Sequence, residues 1–222
     1  VLNNLDRFAG PPVFLTNDSI PTVRADIETH IIAPAARFRD FEELPHLAIN
    51  EEYEKTARDI LSNQDISFIY QRYSFNSYAG VSLSRQFGVP FALEYNGSEI
   101  WIRRNWSDNP YKYEKVYEEI ESLCLESADV IVVVSRPLAD ELEGRGIDPG
   151  KVLVNPNGVD PEKYSPEIDG AEVRGRYGFD GKTVVGFIGT FGRWHGAEVL
   201  AEAFGRMIRE NPGMRENVRL LM

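Results

Sequence analysis

The chain has 222 residues, of which 42% are hydrophobic and 27% are charged, a composition typical of a globular protein with a buried core. This length suits one large domain or two small ones. Because 35 Asp and Glu outnumber 24 Lys and Arg, the formal charge of -11 repels nucleic acid and anionic lipid unless basic residues cluster locally. We therefore expect no nucleic acid partner.

Short apolar segments alternate with longer amphipathic stretches along the chain, a pattern typical of parallel strands buried between helices. Strands are predicted over residues 13–16, 29–32, 66–70, 91–95, 130–134, 152–155, 183–188 and 218–222. Helices are predicted over residues 49–62, 77–87, 113–127 and 195–211. The third helix carries a predicted core-facing stripe at helical spacing, composed of Val116, Tyr117, Ile120, Leu123 and Cys124.

Turn-forming residues are concentrated between the sixth and seventh predicted strands. Residues 155–182 contain three prolines and five glycines, a density that suits a linker between domains. A new strand-helix-strand unit follows this stretch. We therefore predict an incomplete N-terminal domain over residues 1–165, a linker over residues 166–182, and the beginning of a second, nucleotide-binding type of domain over residues 183–222.

A glycine-rich segment, residues 186–196, lies between the seventh predicted strand and its helix. Such a turn lets backbone NH groups and the positive helix end approach a phosphate, and Arg193 and His195 can add charge or hydrogen bonds. The glycine spacing is G-x-x-G-x-x-G rather than the G-x-G-x-x-G of dinucleotide-binding proteins, which weakens a dehydrogenase interpretation. A tight turn that binds no ligand is the alternative.

Four segments together resemble one enzyme family. Residues 128–135 and 151–160 resemble the retaining family 4 glycosyltransferases. In that family the N-terminal domain closes with the motif A-D-x-I-x-x-x-S, a helix, and the motif V-x-P-N-G-V-D-x-x-x-F. In this chain Tyr164 replaces the usual Phe of the second motif. Residues 70–74 are similar to the family's Y-x-R-Y-S strand end, and residues 184–196 to the opening of its second domain. The resemblance covers most of residues 65–204.

The resemblance implies the GT-B architecture, an α/β fold of two Rossmann-like domains. It implies an enzyme that moves a sugar, with retention, from a nucleotide-diphosphate donor to a hydroxyl acceptor. The N-terminal domain would hold mostly the acceptor, which would be a polysaccharide, a glycolipid or a small glycoside, as in cell-envelope polysaccharide biosynthesis. Substrate orientation and electrostatic stabilisation of the leaving diphosphate would drive the reaction.

The residues that the family implies for the donor diphosphate are Gly189, Thr190, Arg193, His195 and Gly196. Here the chain departs from the family's common G-R-x-x-x-x-K-G, because Thr190 takes the place of the Arg and His195 that of the Lys. A neutral His contributes less to diphosphate binding than a Lys. The family's paired glutamates, which contact the donor, would lie beyond Met222.

In the N-terminal domain, polar residues follow the fourth predicted strand at the edge where open parallel sheets bind ligands. Glu94 and Asn96 are the catalytic candidates, and the His-Asp pair that many relatives have near this point is absent. The alternative is an ordinary turn and a solvated acid. The predicted acceptor-side residues are Arg72, Tyr73, Ser98, Trp101, Arg103 and Arg104.

Trp101, Arg103, Arg104 and Trp106 form a basic and aromatic group that could stack on a sugar or contact a lipid diphosphate. Helix packing with solvated arginines is the alternative. His and Cys residues show no metal-ligand spacing, so we expect neither a metal nor another cofactor, the nucleotide sugar being a substrate.

Cys124 is the sole cysteine and is predicted to be a small core residue, which suits a reducing cytoplasm. With no apolar run near the roughly 20 residues that span a bilayer, we expect a cytoplasmic protein, with peripheral contact at the inner face of the membrane left open. The chain begins with Val and stops directly after a predicted strand, so we expect a fragment truncated at both ends. A sugar-nucleotide epimerase of related fold and an inactive binding fragment are the alternative functions.

Overall fold

The computed structural model describes residues 2–7, 9–21, 23–62 and 64–222. The chain divides into two compact units, Val1–Asn157 (unit 1) and Gly158–Met222 (unit 2). The domain limits predicted from the sequence stay a prediction.

Unit 1 contains two parallel sheets. Strands β1 and β2 pair with each other, and β3, β4, β5 and β6 form a four-stranded sheet in that order. Since every pairing is parallel, the carboxyl ends of β3 to β6 meet at one edge of the sheet. The strands are β1 Val13–Thr16, β2 Glu28–Ile31, β3 Ile69–Arg72, β4 Phe91–Tyr95, β5 Val130–Val133 and β6 Val152–Val154.

Helices connect the strands of the larger sheet in unit 1, as parallel pairing requires. Ser98 begins the third helix, because its hydroxyl accepts a hydrogen bond from the Trp101 backbone NH at 3.1 Å. The second ends at Gly88, whose φ of 66° is the left-handed conformation that glycine adopts readily. The helices are α1 Leu44–Leu61, α2 Ala79–Phe87, α3 Glu99–Trp106, α4 Glu114–Ser127 and α5 Arg136–Gly144.

The core of unit 1 lies between the four-stranded sheet and helices α2, α4 and α5. Cys124 is fully buried in this core, which confirms the prediction made for it. The apolar strands β4 and β5 supply its centre, as expected for buried parallel strands. The largest fully buried apolar side chains are Tyr95, Tyr117, Phe91, Leu93, Leu125, Ile131, Leu142 and Val133.

Unit 2 consists of a strand-helix-strand element preceded by a short helix, α6 Ala171–Tyr177. Strands β7 Thr183–Gly186 and β8 Val218–Leu221 pair in parallel and are connected through α7 Ala197–Glu210. The predicted linker thus contains a helix as well as turns. Short 3-10 turns also occur in both units, at Leu2–Arg7, Ala36–Phe38, Pro149–Lys151, Arg193–His195 and Pro212–Glu216.

Two predicted boundaries are corrected. β3 begins at Ile69 rather than residue 66, because its partner β4 begins only at Phe91, after Pro90, which has no NH to extend the ladder. α1 begins at Leu44 instead of residue 49, with a proline in its first turn, where the missing NH costs nothing.

The predicted core stripe of α4 is partly wrong. Val116 and Leu123 are 42% and 36% exposed, whereas Glu121 and Leu125 are buried with Tyr117, Ile120 and Cys124. A charged residue occupies the buried face because the Glu121 carboxylate forms an ion pair with Arg145 at 2.9 Å. The hydrophobicity of the residues alone could not predict which face of α4 is buried, since one of the buried residues, Glu121, is an acid.

Candidate functional site

A polar cluster lies at the carboxyl ends of β3 and β4, with Glu94 at its centre. Arg72 and Glu94 are register partners on the two strands, and the Arg72 Nε lies 3.7 Å from Glu94 Oε1. The Tyr70 hydroxyl donates to Glu94 Oε2 at 2.5 Å, and Asn96 Nδ2 donates to Glu94 Oε1 at 3.1 Å. These four residues are called the Glu94 cluster below.

Glu94 is held as a hydrogen-bond acceptor within this cluster. Its side chain is 22% exposed, whereas that of Arg72 is 73% exposed. Burial, followed by the hydrogen bond to Glu94, raises the pKa of Tyr70 well above its usual range, so the phenol stays protonated and donates. Glu94 is therefore not simply a solvated surface acid, and it lies with Arg72 at the carboxyl edge of the sheet, where open parallel sheets bind ligands.

Glu99, at the first turn of α3, is a second acid close to this edge, and the sequence interpretation did not select it. The residue is exposed, yet desolvation by the surrounding protein raises the pKa of its carboxyl group, opposed by the Phe75 backbone NH and by His46 and Arg72. Arg72, a member of the Glu94 cluster, thus acts electrostatically on the Glu99 carboxyl group. Sequence spacing could not reveal this, since Glu99 and Arg72 come from different elements.

The predicted acceptor-side residues fall in three environments. Tyr73 is buried at 7% exposure and packs on Tyr95, with ring centroids 5.5 Å apart, so its side chain contributes to the core. Ser98 uses its hydroxyl to cap α3. Trp101, in contrast, is 54% exposed on the same helix and is open to a ligand.

The arginines of α3 are engaged within unit 1. Arg103 donates to the Asn109 carbonyl at 2.5 Å and its guanidinium lies 4.7 Å from the centre of the Tyr111 ring. Arg104 Nη2 lies 2.5 Å from Glu114 and 2.6 Å from Glu118, which ties α3 to α4. These contacts support the packing alternative for both arginines, because their charges are already met by protein groups.

In unit 2, the turn between β7 and α7 is organised around His195. The His195 Nδ1 lies 2.5 Å from the Thr190 carbonyl oxygen and 3.2 Å from the Thr190 hydroxyl. The indole NH of Trp194 donates to His195 Nε2 at 3.1 Å. Because an indole nitrogen can only donate, Nε2 accepts in this contact, and Nδ1 is left to donate to the Thr190 carbonyl.

Gly189, Gly192 and Gly196 of this turn each lack a side chain for a different structural reason. Gly196 has a φ of 66° and directly precedes α7, where no side chain among the described residues caps the first turn. A Cβ at Gly192 would lie 2.7 Å from the Trp194 ring, and one at Gly189 would lie 3.3 Å from the Phe187 ring. Arg193 lies in the 3-10 turn that precedes α7. The backbone NH groups at the start of α7 have no side-chain cap and could therefore bind a phosphate group.

Among the residues described here, no group of three or more His, Cys, Asp or Glu side chains is placed to hold a metal ion. Within the same residues, no helix is both long and apolar enough to cross a membrane.

Comparison with known proteins gives a family match over most of unit 1. The model of Glycosyltransferase Family 4 matches residues 22–163. A curated D-inositol 3-phosphate glycosyltransferase from Stackebrandtia nassauensis is 32% identical over 116 residues, which is 52% of this chain and 26% of that protein. The chain thus spans about a quarter of the length of this relative.

Solved structures show the same fold. A sucrose-phosphate synthase from Thermosynechococcus elongatus aligns with a TM-score of 0.63 and 16% identity, covering 91% of this chain and 55% of that one. Anabaena HepE in complex with UDP aligns with a TM-score of 0.54 and 15% identity, covering 88% and 56%. A putative UDP-N-acetylglucosamine 2-epimerase from Listeria monocytogenes gives 0.52 and 13%, covering 89% and 48%. The GT-B architecture is confirmed.

Proposed function

Because the chain belongs to Glycosyltransferase Family 4, we propose that the protein transfers a sugar from a nucleotide-diphosphate donor to a hydroxyl acceptor with retention at the anomeric carbon. The observation that carries the proposal is the turn in unit 2, where His195 ties the loop to Thr190 immediately before the uncapped start of α7. Helix starts of this kind bind phosphate groups through backbone NH groups and the helix dipole.

Within this proposal, unit 2 holds the donor diphosphate. The α7 NH groups and Gly196 meet the phosphates, Arg193 supplies positive charge, and Thr190 with His195 sets the shape of the turn. Solved neighbours of the same fold bind UDP and UDP-glucose, which makes a uridine nucleotide the first donor to test. A preorganised donor site lowers the barrier by stabilising charge on the leaving diphosphate.

Unit 1 holds the acceptor in this proposal. The Glu94 cluster lies at the ligand-binding edge of its sheet, where the Glu94 carboxylate can accept a hydrogen bond from an acceptor hydroxyl and Arg72 can donate one. Glu94 and Asn96 remain our candidates for the polar groups near the reacting carbon. The acceptor is a saccharide or a lipid-linked saccharide, and the protein acts in the cytoplasm without a cofactor.

The donor site is tested by titrating the chain with UDP in a calorimeter. Replacing His195 with Ala removes its hydrogen bonds to Thr190 and Trp194, each net worth about 0.5–1.5 kcal/mol, so we expect the Kd for UDP to rise about 2- to 10-fold. The matched control is His30→Ala, which removes a histidine of β2 in unit 1 bonded only to Glu28 among the contacts described. Equal effects of the two variants would contradict the donor site.

The reaction is tested by following UDP-glucose and a saccharide acceptor by proton NMR. Retention predicts a glycoside with the α configuration of the donor, and the J coupling of the new anomeric proton reports it. The epimerase alternative predicts a second UDP-sugar and no glycoside. Formation of a β-glycoside would exclude retention, and accumulation of an epimer would exclude transfer.

A further inference from the structure

The loop between β4 and α3 contains an asparagine followed by a glycine, a pair in which the asparagine side chain is prone to lose ammonia because glycine leaves its own backbone nitrogen unshielded. Asn96 is exposed, and Gly97 has a φ of 120°, a conformation that glycine adopts readily. A Cβ at Gly97 would meet nothing within 4 Å. The space around this pair is therefore open.

The backbone nitrogen of Gly97 is available as a nucleophile. Gly97 lies outside the helices and strands, and its NH donates no hydrogen bond to any of the described residues. A backbone NH that is bound in a helix or a sheet would first have to break its hydrogen bond before the nitrogen could attack. Gly97 does not carry this cost.

The Asn96 amide is restrained by a single hydrogen bond among the contacts described. Its Nδ2 donates to Glu94 Oε1 at 3.1 Å, and the Tyr70 hydroxyl holds the other oxygen of Glu94 at 2.5 Å. The amide must turn away from Glu94 to meet the Gly97 nitrogen, so this hydrogen bond opposes the reaction. One such bond is expected to slow it about 2- to 10-fold, which delays the reaction without preventing it.

We propose that Asn96 is a site of deamidation. The Gly97 nitrogen forms a bond to Asn96 Cγ and gives its proton to water, while the Cγ–Nδ2 bond breaks and Nδ2 takes up a proton and leaves as ammonia. Water then opens the five-membered succinimide at either carbonyl, which gives aspartate or isoaspartate. The net reaction consumes a water molecule and releases ammonia. Because it needs no nucleotide or sugar, it does not depend on the transferase activity.

Either product changes the Glu94 cluster. A carboxylate replaces the Nδ2 donor, so the hydrogen bond to Glu94 Oε1 becomes a contact between like charges. Isoaspartate also adds a carbon to the main chain just before Ser98, which caps α3. The reaction thus alters a candidate polar group near the reacting carbon, a consequence that rests on the proposed function.

The chain contains a second Asn-Gly pair that serves as an internal reference, Asn157–Gly158. Both residues are exposed, and a Cβ at Gly158 would also meet nothing within 4 Å. Neither residue contacts Glu94 among the interactions described. The Asn157 rate therefore reports solution conditions and general loosening of the fold, but not the state of the Glu94 cluster.

The test is peptide mass spectrometry of the folded chain after incubation at pH 8 and 37 °C. We expect the peptide that contains Asn96 to gain the mass difference between an NH₂ and an OH group, and to become a substrate for an isoaspartate methyltransferase. Asn96→Gln is the matched control. Its amide would have to close a six-membered ring, so the same peptide should keep its mass.

A second variant tests the restraint by Glu94. Glu94→Ala removes the acceptor of the Asn96 amide, so we expect the Asn96 rate to rise about 2- to 10-fold with the Asn157 rate unchanged. Glu119→Ala, which removes an exposed acid of α4, should change neither rate. If Glu94→Ala unfolds by circular dichroism, Glu94→Gln replaces it, with a smaller increase expected because a neutral acceptor remains.

Three results would overturn the proposal. The first is an Asn96 that stays unmodified in the folded chain while the same residue is converted in the chain unfolded by guanidinium. The second is a gain of mass at this peptide in Asn96→Gln, which would place the reaction at another residue. The third is an equal acceleration of Asn96 and Asn157 in Glu94→Ala, which would indicate general loosening instead of a local restraint.

Discussion

Glu43 shows how a single buried carboxylate can connect distant parts of unit 1. It is 7% exposed and accepts hydrogen bonds from the backbone NH groups of Lys112 and Tyr113, at 2.9 and 3.2 Å, and from the Tyr117 hydroxyl at 2.6 Å. Burial by itself would raise the pKa of Glu43, but these hydrogen bonds and nearby Arg103 outweigh it and lower the pKa. The ionised form therefore stabilises the fold.

Glu43→Gln should lower the free energy of unfolding by about 1–3 kcal/mol at pH 7, because buried donors lose a charged acceptor. Since the folded-state pKa lies below the unfolded one, the stabilisation is present above the unfolded pKa of about 4.3 and is lost as pH falls through the folded value. Urea unfolding at pH 7 and pH 3.5, followed by circular dichroism, measures the difference. Glu42→Gln, an exposed neighbour, is the control; a pH-independent loss would contradict the mechanism.

At the scale of elements, the contact of α2 with the sheet depends on the absence of a side chain at Gly80. A Cβ there would lie 2.4 Å from Gln71 Oε1 and 2.7 Å from the Phe91 ring. Gln71 cannot simply move away, because its amide accepts from the Gly80 NH and donates to the Ser77 carbonyl, both at 2.8 Å. The glycine thus lets α2 approach β3 and β4 closely.

Gly80→Ala should therefore lower the free energy of unfolding by about 1–3 kcal/mol through overpacking. The same change at Gly175, inside α6, meets nothing within 4 Å and should be neutral or should stabilise by up to about 1 kcal/mol. Guanidinium unfolding of both variants makes the comparison. Gly80→Ala with wild-type stability would show that the helix can shift away from the sheet at little cost.

The helices of unit 1 differ in how far sequence could predict them. α2 and α4 were predicted nearly to the residue, because each has apolar residues at helical spacing. α3 was seen only as a basic and aromatic group, since its single buried residue, Ile100, gives no periodic stripe. Val116 and Leu123 of α4 are predicted as core residues but are exposed, because nothing in the sequence around Glu121 indicates that this acid is buried instead.

At the scale of the whole molecule, the formal charge of -11 determines which kinds of partner the chain attracts or repels when no specific binding site is involved. The basic group on α3 does not reverse this, because Arg103 and Arg104 already contact the Asn109 carbonyl, Glu114 and Glu118.

We expect the chain to show no binding to duplex DNA and no enrichment on phosphatidylserine vesicles at about 0.1 M salt, where charge repulsion is only partly screened. Gel shift and vesicle co-sedimentation measure these. Neutral phosphatidylcholine vesicles are the control, because binding to both kinds of vesicle would indicate an apolar contact instead of a charge effect. Preferential binding to the anionic vesicles would show that a basic surface outweighs the net charge.

The sequence by itself determined the order of the strands and of helices α1, α2, α4 and α7, the GT-B fold and family membership. These depend on apolar runs, helical spacing and turn residues that lie close together along the chain, as in β4, β5 and the glycine-rich turn before α7. Short-range order is encoded locally, so it can be predicted locally.

Only the tertiary structure decided which polar groups meet. Glu94 contacts Tyr70 from 24 positions away, Glu43 reaches Tyr117 across 74, and Glu121 pairs with Arg145 of another helix. Such pairs depend on strand register and on which helix face turns inward, and each is set by the packing of the whole unit. The sequence around an Asp or Glu does not show whether the carboxylate is exposed or buried. Its hydrogen-bond and ion-pair partners can therefore be identified only in the folded structure.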